Sequence, residues 1–313
     1  MRIVFWGTPD FAVPSLSALL GEGHDVVGVV TQPDRPAGRG RELRASPVKR
    51  IALDEGIPVL QPDRARGREF LSQLGDLAPE LSVVIAYGQI LRAEVLQLPA
   101  RGSVNVHASL LPALRGAAPI NWSIMNGDDR TGITVMRMVE KLDAGPILFQ
   151  VAEPLGPEET ANDLRLRLSE VAAEALIEAL ALLELGELNE RPQDDARATF
   201  APKLTRDVAR VNWAQPAVKV SAQIRGLDSI PGAWTTLGGE EIKVYRPLVE
   251  DDPASGEPGT VLRVEAGDPA QGLQIACGTG ALWIREVKPA GKRRMTTADW
   301  LRGRRVEPGE RFA

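Results

Sequence analysis

Asn105 and His107 flank a single valine in the run Asn-Val-His-Ala-Ser-Leu-Leu-Pro at 105–112. On an extended strand end, residues two apart point to the same side. An amide donor and a titratable imidazole then converge on one point. That pair suits a carbonyl whose oxygen gains negative charge, with Asn as oxyanion donor and His as proton carrier. Taken alone, such a pair is more often the satisfied polar end of a strand. Leu142-Asp143-Ala144-Gly145-Pro146 supplies an acid in a Gly/Pro loop. Its plain reading is turn chemistry, and its chemical reading is a carboxylate that holds His107 or raises its charge. Spacing by itself does not bring the three together. The chain has only two histidines, and His24, in Gly23-His24-Asp25, reads as a surface-loop residue. The single cysteine, Cys277, reads as a packed strand residue. One cysteine excludes a disulfide framework and a cysteine-rich zinc site, so no metal is expected.

Phosphate chemistry is suggested by charge. The 313 residues carry 37 Lys/Arg and 42 Asp/Glu, a net charge of −5, which gives no hint of nucleic acid. The distribution does. Residues 1–200 hold a net −8 and residues 201–313 a net +3, while 33–50 carry +4 and 285–313 carry +5. Arg35, Arg39 and Arg41, with Gly38 and Gly40, form a flexible basic loop that reads either as a solvated surface or as a phosphate-backbone clamp. Lys292, Arg293 and Arg294 lie in a basic, β-rich end that suits a nucleic-acid platform. Trp213, Trp234, Trp283 and Trp300 lie there too and read as core rather than stacking surfaces. Gly7-Thr8-Pro9-Asp10 after the first apolar run lacks the glycines of a dinucleotide fingerprint, so no nicotinamide or flavin is expected.

The elements that must position these residues alternate. Short β-rich runs at 3–6, 26–31, 83–86, 104–106, 133–138 and 147–151 are separated by helical stretches, which argues a parallel-rich sheet covered on both faces. Ligands on such sheets sit beyond the carboxyl ends of strands, near Gly7, Thr31, Tyr87, His107 and the Asp143 loop. Thr160 and Asp163 have capping-box spacing, and the helix they open runs to Gly186. Residues 187–206 are polar, contain Pro192 and Pro202, and read as a linker. Beyond it, short strands around Gly278-Thr279-Gly280 suggest a small β-barrel or sandwich. The expected division is 1–186, a linker 187–206, and 207–313. A hydrophobic fraction of 43% and a charged fraction of 25% are those of a globular chain, not a disordered one. No window approaches the run of about 20 apolar residues of a spanning helix, and no targeting segment is evident. No membrane partner is expected, and the cytoplasm is the expected location.

Read together, GTPDF (7–11), TQPDRPAGRG (31–40), SPVK (46–49), AYGQIL (86–91), NVHASLLP (105–112), RGAAPINW (115–122), LDAG (142–145) and PGAW (231–234) resemble the methionyl-tRNA formyltransferase family. The resemblance runs through both halves. It implies a Rossmann-like α/β formyltransferase domain followed by an OB-type β-barrel that binds tRNA. It also implies formyl transfer from 10-formyltetrahydrofolate to the α-amino group of methionyl initiator tRNA. By the same resemblance, Asn105, His107 and Asp143 are the catalytic set. Ser109, Leu110, Leu111 and Pro112 line the folate site, and Gln89, Ile90 and Leu91 form part of the pterin wall. The basic loop around Arg39 reaches the acceptor stem. The chain departs from the family's usual Asp-Thr-Gly-Asp run, having Asp143-Ala-Gly-Pro146 instead. The partners implied are initiator methionyl-tRNA and the folate co-substrate, met by a monomer. Two rivals stay open: the same chemistry on an amino-sugar nucleotide or other small amine, and a non-enzymatic RNA-binding module.

Overall fold

The computed structural model describes residues 1–37, 42–250, 256–267 and 271–313. Ile3, Val4, Phe5 and Trp6 are fully buried. A strand with no polar face must lie inside a sheet covered on both sides, and β1 (Arg2–Gly7) does. α1 (Val13–Gly21) follows, with Pro14 in its first turn, where a missing N–H costs nothing. β2 (Asp25–Val30) pairs with β1 in parallel.

The 33–50 segment, expected to be a flexible loop, is ordered where it is described. β3 (Arg35–Ala37) and β4 (Glu42–Arg44) pair antiparallel, and α2 (Pro47–Asp54) starts inside the segment. The Ser46 hydroxyl accepts from Lys49 N–H at 3.1 Å and lies 2.8 Å from the Thr31 hydroxyl. This cap ties the start of α2 to the end of β2. β5 (Val59–Leu60), α3 (Arg68–Asp76), β6 (Leu81–Ile85), α4 (Ala93–Leu96) and β7 (Ser103–His107) complete the alternation. β8 (Arg115–Gly116), α5 (Pro119–Asn126), β9 (Arg130–Arg137) and β10 (Ile147–Pro154) follow.

The described residues form a seven-stranded sheet in the order β10-β9-β7-β6-β1-β2-β5. β2·β5, β1·β6 and β6·β7 are parallel like β1·β2, and β9 runs against β7. The sheet is therefore parallel-rich, as expected, with a reversed side at β9. On one face Trp6 meets Phe70 and Tyr87 edge-on, at 5.9 and 5.2 Å between centroids, a favoured aromatic geometry.

α6 (Ala161–Leu185) has the anticipated capping box. Thr160 Oγ1 accepts from Asp163 N–H at 3.2 Å, and Asp163 Oδ2 accepts from Thr160 N–H at 3.2 Å. Gly186, at φ 72°, ends the helix as a left-handed residue. A two-residue strand, β11 (Phe200–Ala201), pairs with β8.

The chain divides into two compact units. One comprises 1–119, 131–153 and 165–201; the other comprises 120–130, 154–164 and 202–313. In the second, α7 (Ala217–Gly226), β12 (Ala233–Leu237), β13 (Glu240–Glu250), β14 (Val261–Glu265), β15 (Gly272–Ala276), β16 (Ala281–Pro289), β17 (Met295–Thr296) and α8 (Thr297–Gly303) succeed one another. Their strands pair antiparallel in the order β12-β13-β16-β15-β14, with β17 on β16. Trp213, Trp300 and Cys277 belong to its core cluster. Trp283 is buried as well, so three of the four tryptophans are interior, as read from sequence. Trp234 is half-buried and carries the Arg206 guanidinium 4.3 Å from its ring.

Candidate active site

β7 brings Asn105 and His107 to one face of the sheet. Asn105 lies opposite Val84 and Met136, and His107 opposite Thr134. His107 is buried, and its ring Nε2 lies 3.0 Å from the Leu114 carbonyl. A carbonyl only accepts, so Nε2 carries a hydrogen and Nδ1 is the atom at which a proton can come and go. Nδ1 faces Asp143 Oδ2 at 3.8 Å. That is too long for a hydrogen bond, so Nδ1 stands beside the carboxylate without being consumed by it. The Asn105 carboxamide is half-buried and makes no side-chain hydrogen bond among the described residues.

Asp143 reaches this point from the loop between β9 and β10, which leaves β9 beside the amino end of β7, where Met138 N–H donates to Ser103 O at 2.9 Å, and returns to His107. Two residues around the imidazole, Leu114 (φ 59°) and Asp143 (φ 47°), hold left-handed backbone conformations that side chains disfavour. Tertiary bonds maintain both. Leu114 N–H donates to Thr199 Oγ1 at 2.8 Å, and Gly116 N–H donates to Asp143 Oδ2 at 2.8 Å. The Gln193 amide donates to the carbonyls of Asp143 (2.9 Å) and Gly145 (2.7 Å) and accepts from Arg115. Gly145 is required by close approach: a Cβ there would lie 1.8 Å from the Arg137 carbonyl oxygen.

The remaining residues singled out in the sequence divide. Ser109 commits its hydroxyl to the Ala113 carbonyl (2.7 Å), and its own carbonyl accepts from Thr134 Oγ1 (2.6 Å). Leu111 is buried with Met136 and Ile147, and Leu110 and Pro112 are half-buried. Gln89 ties its loop to another, accepting from Ala65 N–H at 3.0 Å and donating to Asp63 O at 3.1 Å. Leu91 is core. Ile90 is 78% exposed, as are Leu142 (55%) and Val139 (43%) on the Asp143 loop. These two loops are tied where Glu140 Oε1 accepts from Ala93 N–H at 3.3 Å. Arg35, Lys292 and Arg293 are exposed. Arg294 is not a free cation. Its guanidinium donates to Asp228 at 2.6 and 3.1 Å and to Glu286 at 2.5 Å, and it covers the Tyr245 ring at 4.1 Å. Arg39 and Arg41 lie outside the described residues.

His24 is half-buried rather than a loose surface residue, with Nδ1 3.5 Å from the terminal amine. Burial first, and that amine second, lower its pKa. Among the described residues no group of three or more His, Cys, Asp or Glu is placed to hold a metal, and no helix is long and apolar enough to cross a membrane. Leu114 and Gln193 were not marked by the sequence, and Gly116 only as part of an apolar loop. Leu114 and Gly116 contribute backbone atoms, which side-chain chemistry does not advertise, and Gln193 sits in a polar run without a motif.

Comparison with known proteins places this geometry in context. Residues 1–180 match the family described as formyl transferase, and residues 203–305 match the formyl transferase C-terminal domain. A methionyl-tRNA formyltransferase of Moorella thermoacetica is 48% identical over 310 residues, 99% of this chain and 98% of the relative. One from Geobacter sulfurreducens is 46% identical over 312 residues, 100% of this chain and 96% of the relative. Among solved structures, HypX from Aquifex aeolicus in complex with tetrahydrofolic acid superposes with a TM-score of 0.67 at 21% identity, covering 96% of this chain and 47% of HypX. The sugar 3N-formyl transferase WlaRD superposes with a TM-score of 0.67 at 16% identity, covering 94% of this chain and 99% of that one. At such identities the two structures speak for the fold alone.

Proposed function

The chain belongs to the methionyl-tRNA formyltransferase family, and we propose that it transfers the formyl group of 10-formyltetrahydrofolate to the α-amino group of methionyl initiator tRNA. The observation that carries this reading is the convergence of three separated residues. Asn105 and His107 share one strand face, and Asp143 is brought within 3.8 Å of His107 Nδ1 by a distant loop.

The folate supplies a formyl carbon activated for transfer to an amine. Asn105, whose carboxamide has no partner among the described residues, donates to the formyl oxygen as negative charge gathers there. His107 adds a second donor from Nδ1, since Nε2 is committed to Leu114. The Asp143 carboxylate, held at Oδ2 by Gly116 N–H, takes up the proton that the methionyl amine gives up as its nitrogen bonds to the formyl carbon; the bond from that carbon to N10 breaks, and the proton leaves on N10 of the tetrahydrofolate. Loss of one such oxyanion donor typically costs about 3–4 kcal/mol of transition-state stabilisation.

The residues suit a folate. Ile90, Val139 and Leu142 expose apolar side chains on two tied loops, which matches a flat ring system, and Leu110 and Pro112 of the Ser109–Pro112 turn remain partly open. Ser109, Leu111, Gln89 and Leu91 shape those loops from within. For tRNA, Arg35 at the start of the basic hairpin and the exposed Lys292 and Arg293 are the phosphate contacts. Arg39 and Arg41 keep the role expected from the sequence. Arg294 serves as an internal brace, because each of its three nitrogens already donates to a carboxylate. We assign catalysis to 1–186, tRNA binding to 207–313 and the connection to 187–206. We place the activity in the cytoplasm, where charged tRNA is used. We take the protein to act as a monomer.

The test is a formyl-transfer assay on purified protein with 10-formyltetrahydrofolate and either methionyl initiator tRNA or an amino-sugar nucleotide. Formylation of the tRNA alone is expected. Turnover of the amino sugar in its place would give the acceptor role to another substrate class.

A further inference from the structure

Residues 181–202 fall between the two family matches and belong to neither. From 187 on their composition reads as a linker, yet the structure bonds 187–201 into the catalytic unit. Arg191 and Ile147 exchange backbone hydrogen bonds at 2.8 and 2.9 Å, and β11 pairs with β8. Between these two anchors the Gln193 carboxamide uses its full bonding capacity. Nε2 donates to Asp143 O (2.9 Å) and Gly145 O (2.7 Å), and Oε1 accepts from Arg115 Nε (3.1 Å) and Nη2 (2.7 Å). Arg115 is only 2% exposed, and its third nitrogen, Nη1, donates to Asp195 Oδ1 at 2.8 Å. Asp195 also pairs with Lys141, two residues before Asp143. One amide therefore links the turn that presents Asp143 to a buried cation on the strand whose next residue, Gly116, holds the Asp143 carboxylate.

We propose that Gln193 is a positioning residue for Asp143, and that the segment around it is a strap that must be seated for turnover. This rests on the reading of Asp143 as the partner of His107. Asp143 occupies a left-handed conformation, one that aspartate adopts more readily than most residues but still as a minority state. Inside the turn the Ala144 N–H to Lys141 O bond is long, at 3.3 Å. The two Gln193 bonds hold the carbonyls on either side of Ala144. Without them the turn relaxes and the carboxylate leaves its place beside Nδ1. A misplacement of about 1 Å in a reacting constellation can cost on the order of 100-fold in rate.

The test uses the full-length protein. Gln193→Met keeps the length and removes every hydrogen bond. Gln193→Glu keeps the acceptor for Arg115 and removes the donors to the turn. Both should lower kcat about 10- to 100-fold while KM for folate and for tRNA changes less than about 3-fold, with the thermal midpoint of Gln193→Glu close to the parent's. The double variant Gln193→Glu/Asp143→Ala should be no slower than Asp143→Ala, because the two act as one unit. If Gln193→Glu keeps the parent's kcat while Asp143→Ala is inactive, the amide only accepts the hydrogen bonds of Arg115 and the proposal falls. If the losses multiply in the double variant, Gln193 acts elsewhere. An active Asp143→Ala would instead overturn the role of Asp143 itself.

Discussion

At the scale of single residues, the imidazole of His107 has one nitrogen committed to Leu114 and the other left beside Asp143. His107→Ala and Asn105→Ala should each lower kcat by about 10²–10³, with circular dichroism unchanged. Near-parental rates in a folded variant would remove the residue from the catalytic set. Tyr87 tells the opposite story. It is 2% exposed, and its hydroxyl has no hydrogen-bond partner among the described residues. An orphaned buried hydroxyl costs stability, so Tyr87→Phe should raise it by about 1 kcal/mol. Urea unfolding measures this, and a destabilised variant would mean that the hydroxyl has a partner.

At the scale of elements, the strands that carry the site were legible because they are short apolar runs ending at polar residues. The readings at 3–6, 104–106 and 133–138 correspond to β1, β7 and β9, each within a few residues. The two-residue strands β8 and β11 were not legible. Their pairing comes from tertiary closure of the 187–201 segment, and no local propensity marks Arg115–Gly116 or Phe200–Ala201. The basic hairpin β3–β4 was missed for a related reason: Arg- and Gly-rich composition reads as a solvated loop until Ser46 and Thr31 pin its base. Two substitutions test elements directly. Thr160→Ala removes the cap of α6 and should cost about 1 kcal/mol in urea unfolding. Gly145→Ala forces a Cβ against the Arg137 carbonyl, so the Asp143 turn must move, and kcat should fall on the scale of Asp143→Ala. An active Gly145→Ala enzyme would show that the turn tolerates displacement.

At the scale of the whole molecule, the net charge of −5 is the sum of −8 over residues 1–200 and +3 over 201–313. Phosphate contacts release counterions and are weakened by salt, whereas apolar ring binding is not. KM for tRNA should therefore rise steeply between about 50 and 200 mM salt, more so the more phosphates are held, while KM for folate stays nearly flat. Equal salt dependence would argue against the basic hairpin and the basic end as phosphate contacts. Alkali acts on the fold through interior groups, Tyr87 and Cys277 foremost. Burial pushes Tyr87 from 10.0 up to about 12 and Cys277 from 9.0 up to about 12. The unfolded chain releases these protons at lower pH than the folded one. Their stability contribution is thus complete below the unfolded values and drains as pH rises toward about 12, at about 1.4 kcal/mol per pH unit per group. The urea midpoint should fall between about pH 9 and 11, and a flat profile would place both groups in solvent.

The sequence by itself determined the alternating α/β plan, the antiparallel β-rich end, the capped helix at Thr160 and the pairing of Asn105 with His107 on one strand face. These follow from periodicity and short-range spacing, which are local properties of the chain. Only the tertiary structure decided that Asp143 meets His107, which imidazole nitrogen is free, that Arg294 is committed to carboxylates and that Gln193 closes the Asp143 turn. Each of these joins residues distant in the chain, often through backbone carbonyls and N–H groups. Nearly every residue carries those atoms, so a sequence cannot mark which of them will be used.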